Sequence, residues 1–403
     1  MSKIWSNQIA VSEKWRPLFS AFVVVFAVVF PFAFLPAMIH AASLGPGLGD
    51  VSGEQTWKAL YKLLNEQPNK GPLYLLLGLV AFGVLFRIRC IAAGYFKWRG
   101  ENGEAFPLKY IAVFILTSAT AIVAIYAVLA LAGLASWLLG FDFSLGWQAV
   151  ERLSAGTHHW VMDNIPTLVS LPAWLAVLVV FMIQGFLHYW LHRFGHTFRA
   201  GWLLFHRPHH MSPALIYPAT AEVFFGIPLF LIAVVPYNLI FAASSKLFSA
   251  EPVYMGILII NLFVVISEIY GHNTALYHEG RKNPFIRLLG WTFLNGPYHY
   301  LHHSSETADA GKAQAVNMIN IGGGLFGLWD RAFGTYAPLR EKKPDVGLTG
   351  NPELYLNPLR LAFSGLAQIG YELLKNQGLK LKLKIILGSS DWNPPITKDY
   401  AIR

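Results

Sequence analysis

Eleven of the fourteen histidines fall between His188 and His303. They are ordered. His192 and His196 form an HxxxH, His206, His209 and His210 form an HxxHH, and His299, His302 and His303 form a second HxxHH. Residues three and four apart share one face of a helix, so each box can aim its ring nitrogens at a common point. Imidazole suits iron, zinc and copper. Eight boxed imidazoles are more than one ion can use, so the pattern points to a di-metal centre. Other histidine chemistries fit less well. Zinc peptidase chemistry needs HExxH, which does not occur, and no acidic residue sits inside a box. A Ser-His-Asp site needs one base histidine.

The residues around the boxes set expectations for each. GFLHYWLHRFGH continues an apolar stretch, so His188, His192 and His196 would line one stripe of a helix. His188 stands between ligand and support. Pro208 within FHRPHH suits the first turn of a helix and biases Arg207 away from helical angles, so His206 is expected to reach a metal from a turn. His272, followed by Asn273, reads as a further ligand. His278 is open between ligand, support and surface. Glu268, one turn before His272, is a candidate for orienting an imidazole. His158 and His159 fall in a connection with no metal role. The glycines of IGGGLFG lack the strand–loop–helix setting of a phosphate loop.

Something apolar must position these boxes. The chain has 403 residues, 55% hydrophobic and only 13% charged, with mean hydropathy +0.44. A soluble domain carries about 25% charged residues. Six apolar segments are candidate spans, roughly 18–39, 72–94, 110–138, 166–187, 223–243 and 252–271. The expected fold is all-α: a polytopic membrane bundle of about 4–6 spans with a cytoplasmic helical cap carrying the histidines. Orientation follows the basic residues. Lys3, Lys14 and Arg16 precede the first span, and Arg87, Arg89, Lys97, Arg99 and Lys109 occupy the second connection. The third connection carries only Arg152, which puts the N-terminus and all three boxes on the cytoplasmic side. Lys58, Lys62 and Lys70 in the first connection run against that assignment.

The net charge of +9 lies mostly beside the spans, which suits anionic lipid headgroups and excludes a nucleic-acid role. Cys90 is the only cysteine, so an intrachain disulfide, a CxxC pair and a cysteine-held iron–sulfur cluster are excluded. The first apolar run lacks a cleavage site and reads as a retained anchor. The chain divides into a transmembrane region (1–165), a catalytic domain (166–340) and a basic C-terminal extension (341–403). In the extension, Leu359 to Leu374 reads as an amphipathic helix, interrupted by Gly378 and followed by LKLKLKII. It either lies on the membrane surface or packs on the domain as a solvated tail.

The order HRxxH, HxxHH, HN, HxxHH, followed by GLWDRAFGTY (Gly327–Tyr336), resembles the fatty acid hydroxylase/sterol desaturase superfamily over about 180–336. The resemblance implies an integral-membrane, non-haem di-iron enzyme that uses O₂ to hydroxylate or desaturate a sterol, fatty acyl chain or related hydrocarbon. The two iron ions would be held by His192, His196, His206, His209, His210, His299, His302 and His303. His272 matches the family's intermediate histidine. FHRPHH is most similar to the sterol desaturase branch, and the terminal GSSDWNPP resembles endings in some bacterial members. One departure stands out. Many members carry an acidic residue seven positions before His192, and here that position is Gly185, with Gln184 and His188 as substitutes. The expected setting is a bacterial inner membrane or endoplasmic reticulum, catalytic face cytoplasmic. No GxGxxG fingerprint or second cysteine offers an internal electron path, so electrons would come from a ferredoxin or a cytochrome b5 with its reductase. The rival readings are a metal-binding or transport protein, which would need ligands deep within the spans, and a non-catalytic lipid-binding relative, which intact boxes disfavour.

Overall fold

Pro172 decides where the long apolar helix begins. The computed structural model describes residues 159–210, 239–240, 242–250, 277–305, 318–348 and 358–398, with isolated positions at 78, 81, 82, 85, 138, 253, 260 and 264. The longest helix among these residues, α1, spans Ala173–Thr197. The candidate span at 166–187 therefore starts later than its apolar residues do and runs further. Pro172 is held at φ −52° and ψ 140°, which is extended backbone. The residues before it turn their N–H groups elsewhere, Leu168 to the Leu247 carbonyl and Leu171 to that of Phe248, each at 3.0 Å. Past Leu187 the helix continues through the HxxxH box.

At 1.5 Å per residue α1 is about 37 Å long, against a hydrocarbon core of about 30 Å. Among the described residues it is the one helix long and apolar enough to cross a membrane, and 28% of its most apolar window is buried in the protein. Trp174, Phe186, Trp190, Leu191 and Phe194 are exposed along it. Its inner face, Ala176, Val180 and Phe181, packs with Val253, Phe248 and Phe293. The other five candidate spans lie wholly or largely outside the described residues.

After α1 the chain is extended at Phe198 and then forms a π-helical turn, Gly201–His206, running directly into α2, Arg207–His210. Arg207 has φ −54° and ψ −43°, so the expectation that Pro208 would push it out of helical angles fails. The wider turn explains this: the Arg207 N–H bonds five residues back, to Trp202. In that register Pro208 has no N–H to give the Leu203 carbonyl, and Gly365 of the C-terminal extension lies against that carbonyl instead.

Three short helices lead up to the third box, and the last of them carries it. They are α3 (Tyr277–Lys282), α4 (Pro284–Phe293) and α5 (Pro297–His302). Asn283 caps α4 by accepting from the Phe285 and Ile286 N–H groups, with Pro284 at the position where a missing N–H costs nothing. Leu294, left-handed at φ 47°, and Gly296, at φ 58°, turn the chain into α5. The Tyr277 and Tyr300 rings pack with Val346 beneath it. Further along, α6 spans Leu328–Ala332.

In the C-terminal extension α7 spans Pro358–Lys375 and α8 spans Leu379–Leu387. The alternating LKLKLKII segment is thus helical. No strand is present among the described residues to pair with it, and Leu and Lys are good helix formers. Ile369 and Ile385 bury themselves against Trp202 and Leu203. The tail therefore packs on the domain, while Leu379, Leu383 and Leu387 stay exposed on the outer face of α8.

Candidate metal centre

α1, the π-turn with α2, and α5 each deliver one histidine box to a common point. His196, His206, His209, His210, His302 and His303 are all buried. Three sets of ring nitrogens gather, each within 4.8 Å: His192, His196, His206 and His302; His206, His209 and His210; and His209, His299 and His303. His206 and His209 belong to two sets each, so the three merge into one cluster of eight.

The hydrogen bonds fix which nitrogen faces inward. His192 Nδ1 bonds the Ile321 carbonyl, and His302 Nδ1 bonds that of Ile319 at 2.7 Å. A carbonyl only accepts, so Nδ1 carries the proton in both rings and Nε2 presents a lone pair. Those Nε2 atoms meet others: His192 to His206 at 2.9 Å, His206 to His210 at 3.0 Å, and His302 to both His210 and His196 at 3.1 Å. His303 Nε2 lies 3.1 Å from that of His299. Neighbouring ligands about 2.1 Å from one ion sit about 3 Å apart, so these spacings suit a shared cation. His206 and His210 are held well below the ordinary imidazole range, by burial first and then by neighbouring imidazoles, His192 leading for one and His303 for the other. Neutral rings, with the His192 and His302 lone pairs turned inward, are what an imidazole site for iron, zinc or copper needs.

The acceptors for the two Nδ1 protons come from a loop built by the WDRAFGTY segment. Asp330 is fully buried. Its Oδ1 accepts from the Ile321 N–H at 2.7 Å and from the Thr335 hydroxyl at 2.6 Å, and its Oδ2 accepts from the Gly322 N–H at 2.9 Å. Burial pushes its carboxyl up to about 6, although these donors and Arg193 pull the other way. Thr335 gives its one hydroxyl proton to Asp330, so Tyr189 donates in the 3.1 Å contact between Tyr189 and Thr335. Arg193 in turn donates to the Tyr189 oxygen at 2.6 Å. The arginine of HRxxH is thereby linked, through Tyr189, Thr335 and Asp330, to the loop that orients His192.

Gly185 has a packing reason. An added Cβ there would lie 2.2 Å from the Gly324 nitrogen, and one on Gly323 would lie 2.3 Å from the Gly185 carbonyl oxygen. Gly322, Gly323 and Gly324 all have φ between 74° and 87°. The IGGGLFG glycines thus let the loop lie directly on α1, where the acidic residue common in the family cannot fit. His188 is exposed and joins none of the three sets. His278 is exposed on α3 and also joins none. His158, Glu268 and His272 lie outside the described residues.

Residues 177–335 match the family model for fatty acid hydroxylase. The match starts in α1, ends at Thr335, and includes all three boxes and Asp330. Residues 177–335 are a fatty acid hydroxylase domain. No curated protein and no solved structure matches the chain. The fatty acid hydroxylase family is iron-dependent and typically oxidoreductase, and this domain and its histidine cluster fit a di-iron lipid oxidase in general terms.

Sequence reasoning missed four residues around the hydroxylase domain's cluster: Arg199, Arg207, Gln368 and Glu372. Arg199 and Glu372 pair through two hydrogen bonds across 173 positions. Nothing in the sequence marks them as partners of each other. The available signal was a glutamate on the apolar side of an amphipathic helix, which needs a buried cation.

Proposed function

We propose that this chain is a membrane-bound enzyme that uses O₂ to hydroxylate or desaturate the hydrocarbon of a membrane lipid. The observation that carries the reading is the inward convergence of eight imidazoles, with two Nδ1 protons tied to carbonyls, inside a fatty acid hydroxylase domain. His192, His196, His206, His210 and His302 would surround one iron and His209, His299 and His303 the other, with His272 completing the set. Bound iron would supply the O₂ activation that attack on an unactivated C–H bond requires.

The protein's own part is positioning and exclusion. Asp330 and its partners hold His192 and His302, and burial keeps water from the Nε2 atoms. Leu178, Val179, Met182, Ile183, Phe186 and Trp329 line an open apolar cleft along α1. A lipid tail could enter laterally there, since α1 presents apolar side chains to its surroundings. In this reading α1 is one of several spans and the cluster faces the cytoplasm. The exposed leucines of α8, flanked by Lys380 and Lys384, rest on anionic headgroups. Two electrons per turnover come from a separate carrier protein. The test is lipid mass spectrometry under ¹⁸O₂ in cells with wild-type protein or His302→Ala. The expected result is a lipid that gains ¹⁸O or a double bond only with wild type. Identical profiles sink the reading.

A further inference from the structure

We propose that α7, which lies outside the matched domain, positions the second histidine box, with Gln368 and Glu372 as the positioning residues. The proposal deepens the metal-centre reading and rests on it.

One face of α7 meets one side of the segment that carries His206, His209 and His210. Gly365, Gln368 and Glu372 are three and four residues apart and so share a face. They meet Leu203, Arg207 and Arg199, which are themselves spaced by four. At Gly365 the approach leaves no room for a side chain, since a Cβ there would lie 1.9 Å from the Leu203 carbonyl oxygen. Gln368 Oε1 accepts from Arg207 Nη1 at 3.0 Å, and its Nε2 donates to Glu372 Oε1 at 3.1 Å. Glu372 takes both Nη groups of Arg199, Nη2 at 2.8 Å, and also the Thr397 hydroxyl at 2.6 Å. Arg199 Nε donates to the Trp392 carbonyl at 2.8 Å. Arg199, Arg207, Gln368 and Glu372 are each no more than 4% exposed.

Arg199 follows the first box by three residues, and Arg207 sits between two candidate ligands. Fixing their guanidinium groups fixes the ends of the π-turn. A buried ion pair is a poor source of net stability, because desolvating both charges offsets their attraction. Apolar side chains of the same volume would hold α7 down equally well. What the polar network adds is direction. Arg207 meets a planar acceptor in a fixed place, and the carbonyl that Pro208 leaves at Leu203 is pressed by Gly365. Register along the π-turn is set at three points, and the imidazoles on its other side inherit it.

The experiment uses the full chain in lipid nanodiscs as wild type, Gln368→Met, Gln368→Glu and Gly365→Ala. Apoprotein is titrated with Co²⁺, whose visible bands report coordination, and melting is followed in parallel. Gln368→Met keeps volume and removes both hydrogen bonds. It should weaken Co²⁺ binding about 10–100-fold and alter the visible bands, with melting close to wild type. Gln368→Glu keeps an acceptor for Arg207 and, holding a proton beside the Glu372 carboxylate, a donor to it, and should recover affinity and spectrum. Gly365→Ala should reproduce the Gln368→Met spectrum by displacing α7. Wild-type affinity and bands in either Gln368→Met or Gly365→Ala overturn the proposal alone. So does a loss that follows melting and is not rescued by Gln368→Glu. Wild type that takes up no Co²⁺ overturns the metal-centre reading and this proposal with it.

Discussion

Asp330→Asn separates holding the fold from aiming the ligands. Asp330 accepts three hydrogen bonds, two at Oδ1 and one at Oδ2. An amide has one accepting oxygen. With that oxygen toward Ile321 and Thr335, its NH₂ faces the Gly322 N–H, and a buried donor is left without an acceptor at a cost of about 1–3 kcal/mol. A second effect opposes this. Burial raises the Asp330 carboxyl from 3.8 to about 6, so holding it ionised at neutral pH costs about 3 kcal/mol, which asparagine avoids. The two nearly cancel, and melting at pH 7 should shift by only a few degrees. The sign with pH is fixed. The folded value lies above the open-chain one, so the carboxyl's favourable contribution is complete below about 4 and lost as pH rises through about 6. Asp330→Asn should therefore gain on wild type over that interval. The ligands respond differently. Displacing Gly322 swings the Ile321 carbonyl away from His192 Nδ1, and losses of this kind lower metal affinity or activity about 10–100-fold. Differential scanning fluorimetry from pH 4 to 7.5, with iron per chain measured on the same samples, reads both effects. Wild-type metal retention in Asp330→Asn refutes the clamp. A large melting loss that metal loss merely follows refutes the separation.

Four further outcomes are expected. His302→Ala should abolish turnover while His278→Ala stays near wild type in matched membranes, and equal activities would refute the site assignment. Active protein handled without oxygen should contain two irons per chain by mass spectrometry, and one or none at full activity is incompatible with the di-iron reading. NADPH without a carrier protein should support no sustained turnover, and with an acidic carrier turnover should fall as salt rises; turnover by the pure chain would expose an internal electron path. Reporters fused after Lys109 and at Arg403 should both face the cytoplasm and one near Asp142 the opposite side, with disagreement between the first two excluding six spans.

The boxes were legible because imidazole spacing is a local property. Three- and four-residue intervals survive translation into helices, and α1 and α5 needed only a helix to present them. The family resemblance also singled out WDRAFGTY, but not what Asp330 does there, since two of its three partners are main-chain N–H groups that carry no sequence signature. The π-turn was illegible for another reason. Pro208 argued correctly against an ordinary α-helical bond, and the chain met that constraint by widening the turn rather than leaving helical angles. Gly185 read as a missing acid because one sequence does not show which backbone will lie against it. Arg199 and Glu372 are far apart in the chain, and only tertiary packing makes either of them a partner.

That separation also bears on biosynthesis. Arg199 meets the Trp392 carbonyl 193 positions further along, and the Thr197 carbonyl meets the Ser390 N–H. At about 5–20 residues per second, a ribosome needs roughly 10–40 s to make the intervening chain. Throughout that interval the first two boxes have been synthesised but lack the segments that seal them. His302, 106 positions after His196, emerges within the same window. Metal delivered early would meet imidazoles that the tail does not yet hold, and metal delivered after synthesis would meet boxes already clamped by Arg199 and its partners.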